Sequence, residues 1–119
     1  MIVLDLPVPP SVNRTRRVYW EAGRRFKGWI RTADAMVLAQ RARTRDPQPR
    51  SVPSPFAVEV VLSEAHTKID LDNGLKWLID YLRRIEVIED DGWEHMREIV
   101  VRWGKAPEGC RITVRPMEG

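Results

Sequence analysis

Acidic side chains stand at both ends of a stretch with helical periodicity in residues 68–91. Asp70 and Asp72 precede this stretch, and Asp90 and Asp91 follow it. A helix that only fills a core does not need carboxylates at both ends. A Mg²⁺ ion does, because it is held by one or two carboxylates together with waters and phosphate oxygens. The pattern suggests a metal-dependent site that cleaves phosphodiester bonds.

The second acidic group must fold back for such a site to form. A helix from Asp72 to Arg84 advances about 18 Å, and the segment from Arg84 to Asp91 spans at most roughly 23 Å. Return within one chain is therefore feasible with little slack, and supply of Asp91 by a partner subunit is the alternative. Three converging carboxylates would repel one another without a bound cation, which is the physical argument for Mg²⁺ or Mn²⁺.

The residues around these aspartates have ordinary interpretations as well as chemical ones. Asp70 is a candidate N-cap of the helix, and Lys76 follows Asp72 by four residues, as in a common helix ion pair. Beside a metal, Lys76 could instead bind the scissile phosphate. Asn73 could add an amide oxygen or hold a carboxylate in position, whereas His66 is more often a surface residue than a base.

Basic residues are concentrated in the first half of the chain. Residues 1–50 hold 11 Lys or Arg and 4 Asp or Glu, whereas residues 51–119 hold 9 and 13. Arginine dominates the basic half, and its planar fork suits phosphate groups. A polyanion held near a metal would explain this asymmetry. The alternative is that the two halves interleave in space and the asymmetry has no function.

Residues 18–27 predict a β-hairpin with Gly23 in its turn, preceded by a basic loop. Its cations alternate with aromatic rings that could stack on unpaired bases. The predicted nucleic-acid contacts here are Arg14, Arg16, Arg17, Arg24, Arg25 and Lys27. The alternative is a solvated hairpin whose aromatic rings pack on the domain.

Alternating apolar residues predict strands over residues 2–6, 56–63, 96–103 and 110–115. Thr32 is a plausible N-cap for a helix over residues 33–45, and the Pro-rich loop over residues 46–55 cannot continue that helix. A second helix is predicted over residues 74–84. The order of elements predicts an α/β or α+β domain with a mixed sheet, two main helices and a basic β-hairpin.

The second predicted helix carries two apolar patches. One stripe recurs at helical spacing and fits a buried core face: Leu71, Leu75, Leu78, Ile79 and Leu82. Trp77, Tyr81 and Ile85 form the other patch, which is either a further buried face or a contact between subunits.

Composition limits the class of protein. The 119 residues are 43% hydrophobic, which fits one domain with its own core. No apolar run is long enough to span a membrane, and the N-terminus lacks the pattern of a secretory signal. Cys110 is the only cysteine, and with His66 and His95 it cannot build a Cys/His zinc site. A reducing cytoplasm is the simplest compartment.

Two groups of residues together form a known pattern. The acidic group is Asp70-Leu71-Asp72-Asn73, Lys76 and, after an intervening helix, Asp90-Asp91; the N-terminal group is Pro9-Pro10-Ser11-Val12-Asn13-Arg14 after the first strand. This combination resembles the RusA-type Holliday-junction resolvases over about residues 3–115. The resemblance implies one endonuclease domain over residues 1–119, bacterial or phage-encoded and often from a prophage, that acts as a homodimer.

The resemblance also implies roles for individual residues. Those that carry over as catalytic are Asp70, Asp72, Asp91 and Lys76, of which the three aspartates would bind the metal. Asp90 matches an acidic position of the family, and Asn13 and Lys68 join the predicted DNA contacts. The chain departs from the family pattern before Asp70, where the family is richer in arginine and Lys68 is the only cation.

The sequence therefore predicts a Mg²⁺-dependent, structure-selective DNA endonuclease that resolves four-way junctions in recombination and repair. Resolution requires two matched nicks related by a two-fold axis, and a symmetric dimer supplies two sites in that relation. The alternative is a non-catalytic basic DNA-binding protein whose aspartates only cap a helix.

Overall fold

A computed structural model of the chain describes residues 1–9, 16–44, 49–65, 70–72 and 74–118, and for residues 16–25 it describes the backbone alone. The elements in these ranges are β1 (Ile2–Leu6), α1 (Arg16–Arg43), β2 (Phe56–Ser63), α2 (Leu75–Arg84), β3 (Met96–Gly104) and β4 (Cys110–Pro116). They form one small α+β domain. The strands predicted from alternating apolar residues are confirmed, as is the second predicted helix.

The four strands form a mixed sheet in the order β1-β4-β2-β3. β4 is antiparallel to both β1 and β2, whereas β2 and β3 are parallel. Parallel neighbours cannot be joined by a tight turn, and α2 supplies the crossover between them. β2 pairs with β3 on one side and with β4 on the other. The segments before and after α2 are therefore attached to these paired strands.

The hydrophobic core lies between one face of the sheet and both helices. β1, β2 and β4 contribute buried residues such as Leu4, Val60 and Ile112, and β3 contributes partly buried ones such as Val101. The opposite face carries cross-strand ion pairs instead: Arg111–Asp5 at 2.8 Å, Arg102–Glu59 at 3.0 Å and Arg115–Glu98 at 3.0 Å. This arrangement is a two-layer fold, with helices on one side and a charged sheet surface on the other.

The predicted β-hairpin over residues 18–27 is wrong, because α1 is helical from Arg16 to Arg43. Apolar side chains at Phe26, Trp29, Ala33 and Val37 recur every three or four residues and face the core. This period extends the helix well before Thr32. An isolated glycine costs a helix only about 1 kcal/mol relative to alanine, so the glycine that signalled a turn does not break it.

Side-chain hydrogen bonds attach α1 to the edge strand β1. The Asp5 N–H donates to Oε1 of Gln40 at 2.7 Å, and Nε2 of Gln40 donates to the Asp5 carbonyl at 2.6 Å. Nε1 of Trp29 donates to the Pro7 carbonyl at 2.9 Å. Gln40 thus pairs with the backbone of β1 as a neighbouring strand would, and α1 is fixed at two points along its length. Within the described ranges, no helix is long and apolar enough to cross a membrane.

The apolar patch of Trp77, Tyr81 and Ile85 is covered by α1 of the same chain. The rings of Trp77 and Phe26 meet edge to face at 3.9 Å between centroids, and those of Tyr81 and Trp29 do so at 4.9 Å. The Tyr81 hydroxyl donates to Asp34 at 2.7 Å, and burial together with this bond raises the pKa of Tyr81 well above its usual value. Tyr81 is therefore buried against α1, whereas Trp77 and Ile85 are half-buried. The interpretation of the patch as a subunit interface stays a prediction.

Candidate functional site

Asp70 and Asp72 lie in the irregular segment that leads into α2, and both are exposed. Among the described residues, the N-cap of α2 is Gly74, in the left-handed conformation with φ of 85°, and no side-chain oxygen caps this end. Asp72 contributes only its backbone carbonyl, which accepts from the Leu75 N–H at 3.3 Å. The interpretation of Asp70 as the helix cap is therefore wrong, and the two carboxylates face solvent without a capping role.

The chain turns back on itself where α2 ends. The Val87 N–H donates to the Leu82 carbonyl at 2.9 Å, and the Glu86 N–H donates to the Arg83 carbonyl at 3.1 Å. These two bonds form a Schellman motif, in which the residue after the C-cap is left-handed. Glu86 takes that position with φ of 62°. The reversal directs the following segment, which carries Asp91, back alongside α2.

Charged side chains meet where this returning segment runs beside α2, and we call them the α2 charge network: Lys76, Asp80, Arg83, Asp90 and Asp91. Nζ of Lys76 lies 3.6 Å from a carboxylate oxygen of Asp80 and 3.6 Å from one of Asp91. Arg83 lies 3.7 Å from Asp90, 3.7 Å from Asp91 and 3.9 Å from Asp80. Asp91 therefore returns to the helix of its own chain.

Exposure differs sharply within the α2 charge network. The side chain of Asp91 is 25% exposed, whereas that of Lys76 is 72% exposed. Asp91 is thus held against the domain, and Lys76 reaches it from the solvent side. A Lys amino group in this position has hydrogen atoms that still face water and can bind a phosphate oxygen.

Asp90 is held by the backbone of its neighbour. The Asp91 N–H donates to Oδ1 of Asp90 at 2.7 Å. This hydrogen bond, with a smaller contribution from the Arg83 charge, lowers the pKa of the Asp90 carboxyl from its usual range. Asp90 therefore stays ionised at neutral pH, and its side chain orients the backbone at Asp91.

The three aspartates predicted to bind metal do not lie in one cluster. Lys76 and Arg83, which both contact Asp91, are separated by about 10 Å along the helix axis. Asp91 therefore lies beside the middle of α2, whereas Asp70 and Asp72 lie before its first residue. In the part of the chain that the structure describes, no group of three or more His, Cys, Asp or Glu side chains is arranged to hold a metal ion. The donor chemistry suits Mg²⁺, but the placement does not.

Lys27 and Arg31 on α1 differ from Lys76 and Arg83 on α2 in their acidic neighbours. Lys27 and Arg31 are exposed one turn apart on α1, and within the described ranges neither contacts a carboxylate. Four predicted DNA contacts lie in the part of α1 described by its backbone alone: Arg16, Arg17, Arg24 and Arg25. Four further predicted residues lie outside the described ranges: Asn13, Arg14, Lys68 and Asn73. Their roles stay predictions.

Asp80 and Arg83 connect the α2 charge network, and neither was among the site residues predicted from the sequence. Asp80 follows Lys76 by four residues and precedes Arg83 by three, and residues at these spacings face each other on a helix. That signal was readable in the sequence. The contacts of Arg83 with the second acidic group were not, because they depend on the reversal at Glu86.

Comparison with known proteins gave no relative of the chain. No protein-family model matches it, and neither a curated protein nor a solved structure does so. Function must therefore be inferred from the chemistry and placement of the side chains described above and from the resemblance in the motifs.

Proposed function

We propose that the chain is a divalent-metal-dependent DNA endonuclease that resolves four-way junctions. One observation supports this proposal most: Asp91 contacts Lys76 on α2 of its own chain, at 3.6 Å. Lys76 is also the cation that follows Asp72 by four residues. Two motifs that are distant in the sequence thus reach one helix, although the three aspartates, all among the described residues, do not form one metal-binding group.

The exposure of Asp70 and Asp72 supports the same proposal. Neither carboxylate caps α2, so the ordinary explanation for acidic residues at a helix start does not account for them. Carboxylate oxygens are the ligands that Mg²⁺ and Mn²⁺ prefer, and we propose Mg²⁺ as the cofactor on this donor chemistry. Because the Asp91 carboxylate is paired with Lys76 and Arg83, a cation would bind the two exposed carboxylates more readily than Asp91.

DNA is the proposed substrate because exposed cations lie on α1. Lys27 and Arg31 are exposed and, among the described residues, have no acidic partner. Such cations attract the phosphate backbone by releasing its condensed counterions. A homodimer belongs to the proposal because paired nicks need two sites, and a DNA substrate places the enzyme in the cytoplasm of a bacterial or phage-infected cell.

A second candidate is a non-catalytic DNA-binding protein. The observation in its favour is that the Asp91 carboxylate already has two cationic partners, Lys76 and Arg83. Charged networks of this kind also occur where they only stabilise a fold. In that case the returning segment would fix the end of α2, and the cations of α1 would carry the function.

Cleavage of a synthetic four-way DNA junction distinguishes the two candidates. The junction is incubated with the wild type and with Asp72→Asn, in Mg²⁺ and separately in Mn²⁺. We expect symmetric nicks from the wild type and none from Asp72→Asn. The variant should still bind the junction, and more tightly, because a negative charge near phosphate has been removed.

Glu108→Gln is the matched control, because it removes one exposed carboxylate from the β3–β4 turn. It should cut as the wild type does. Absence of symmetric nicks with every divalent cation would refute the endonuclease proposal. Equal cutting by wild type and Asp72→Asn would refute the assignment of the site.

A further inference from the structure

Trp93 is the most exposed large hydrophobic side chain in the described part of the molecule, at 75%. It lies in the turn between the second acidic group and β3. A large aromatic ring contributes much of its stabilisation by burial, and Trp93 contributes almost none to this core. The ring is therefore accessible to a ligand on the segment that also carries Asp91.

The turn that presents this ring is firmly held. The Gly92 carbonyl accepts hydrogen bonds from the N–H groups of His95 at 2.9 Å and Met96 at 3.0 Å. The Phe56 N–H donates to the His95 carbonyl at 2.8 Å, which ties the turn to the start of β2. Trp93 is therefore displayed on a fixed backbone, and binding through the ring would not carry the entropic cost of ordering a loose loop.

A cation accompanies the ring. The Arg97 guanidinium carbon lies 5.8 Å from the centroid of Trp93, within the range of a cation–π contact. Nη1 of Arg97 also donates to the Trp93 carbonyl at 3.2 Å, so the guanidinium is held beside the ring. Arg97 is exposed. One flat apolar surface and one positive charge are thus offered to solvent together.

The pair lies next to the α2 charge network. Trp93 follows Asp91 by two residues, so their Cα atoms are separated by about 7 Å at most. A ligand that covers the ring would therefore lie on the same short segment as Asp91. A single-stranded nucleotide has the matching chemistry, because its base has a π face and its phosphate carries a negative charge.

We propose that Trp93 and Arg97 form a stacking site for an unpaired nucleotide of the DNA substrate. Trp93 stacks on the base and Arg97 binds the adjacent phosphate. This inference depends on the proposed function for the choice of DNA as the partner. Bases inside a duplex are already stacked on their neighbours, so the site favours unpaired DNA over paired DNA.

Binding without cleavage tests the inference. Fluorescence anisotropy in EDTA would compare a labelled oligothymidylate with a fully paired duplex of equal length. We expect Trp93→Ala to weaken binding of the single strand by about 5- to 100-fold, with little change for the duplex. Trp93→Phe should retain most of the affinity, because phenylalanine keeps a ring face.

Two further variants complete the experiment. Arg97→Gln should lower the salt dependence of single-strand binding by about one unit. Val100→Ala is the control, because it trims an exposed apolar residue on the outer face of the sheet and should change nothing. Circular dichroism would establish that each variant is folded.

Three results would overturn the stacking site. One is unchanged single-strand affinity in Trp93→Ala, and another is an equal loss on single strand and duplex. The third is a Trp93→Ala variant that binds DNA normally but loses self-association, which would assign the ring to a second copy of the chain. Ring-dependent binding by a protein that never cuts junctions would refute the proposed function alone, whereas cutting without ring-dependent binding would refute this inference alone.

Discussion

Helices α1 and α2 pack on the same face of the sheet, yet they present their positive charges differently. On α1, Lys27 and Arg31 are exposed and have no acidic partner among the described residues. On α2, Lys76 contacts two carboxylates and Arg83 contacts three. Among the described residues, Lys27 and Arg31 therefore lack the acidic partners that Lys76 and Arg83 have.

This difference distinguishes two roles of basic residues: attraction of a polyanion and positioning of a charge. The sequence alone does not separate them. Cations that are not held in ion pairs attract a polyanion from a distance more strongly than paired cations do. Compensated cations contribute little long-range attraction, but their side chains are held in place. Under the proposed function, α1 would be the surface that collects DNA and α2 the place where a positive charge is positioned.

The largest expected effect tests what holds α2 in place. Leu82 is fully buried, and Leu82→Ala should lower the free energy of unfolding by about 2–5 kcal/mol because it leaves a cavity in the core. Urea denaturation measures this change. A decrease in the free energy of unfolding below about 1 kcal/mol would mean that ion pairs rather than the core hold α2 in place. The contrast between the two helices would then not hold.

The next effect concerns the free charge of α1. The double variant Lys27→Ala, Arg31→Ala should lower the salt dependence of DNA binding by about two units, since two phosphate contacts are lost. Binding measured across a salt series gives this slope. Lys105→Ala is the matched control, an exposed cation on the β3–β4 turn. If the control lowers the slope as much, α1 has no special role in collecting DNA.

The smallest effect on stability concerns the compensated charge of α2. Lys76→Met should change the free energy of unfolding by less than about 1 kcal/mol, because exposed ion pairs contribute little. Junction cleavage should nevertheless fall, since the amino group beside Asp91 is gone. Parallel melts and cleavage assays measure the two quantities. A large loss of stability with unchanged cleavage would make the α2 charge network purely structural.

Much of the fold was predictable because its signals are local. Alternation at Ile2, Leu4 and Leu6 sets a strand face without reference to the rest of the chain, and β1 spans those residues. The start of α1 is harder to predict, because Gly23 is typical of a turn and competes with the helical period. The run from Phe26 to Val37 has a clear helical period, and burial of that face outweighs the small cost of isolated glycines.

The site was less predictable, because its geometry depends on one reversal. The length of the connecting segment allows Asp91 to reach α2 but does not require it. The reversal needs a left-handed residue, and Glu86 carries no such signal, since glycine is the residue that usually takes this conformation. The chain therefore brings Asp91 to Lys76 and Arg83 on α2, and not into a metal-binding group with Asp70 and Asp72.

Nicking of a four-way junction by Asp91→Asn tests the central claim most directly, because Asp91 links the two motifs. The substitution keeps the size of the side chain and removes its charge. We expect a folded variant that binds the junction and nicks it at least about 100-fold more slowly than the wild type. A variant that nicks as fast as the wild type would show that Asp91 serves only to pair with Lys76 and Arg83, and would contradict its assignment to the site.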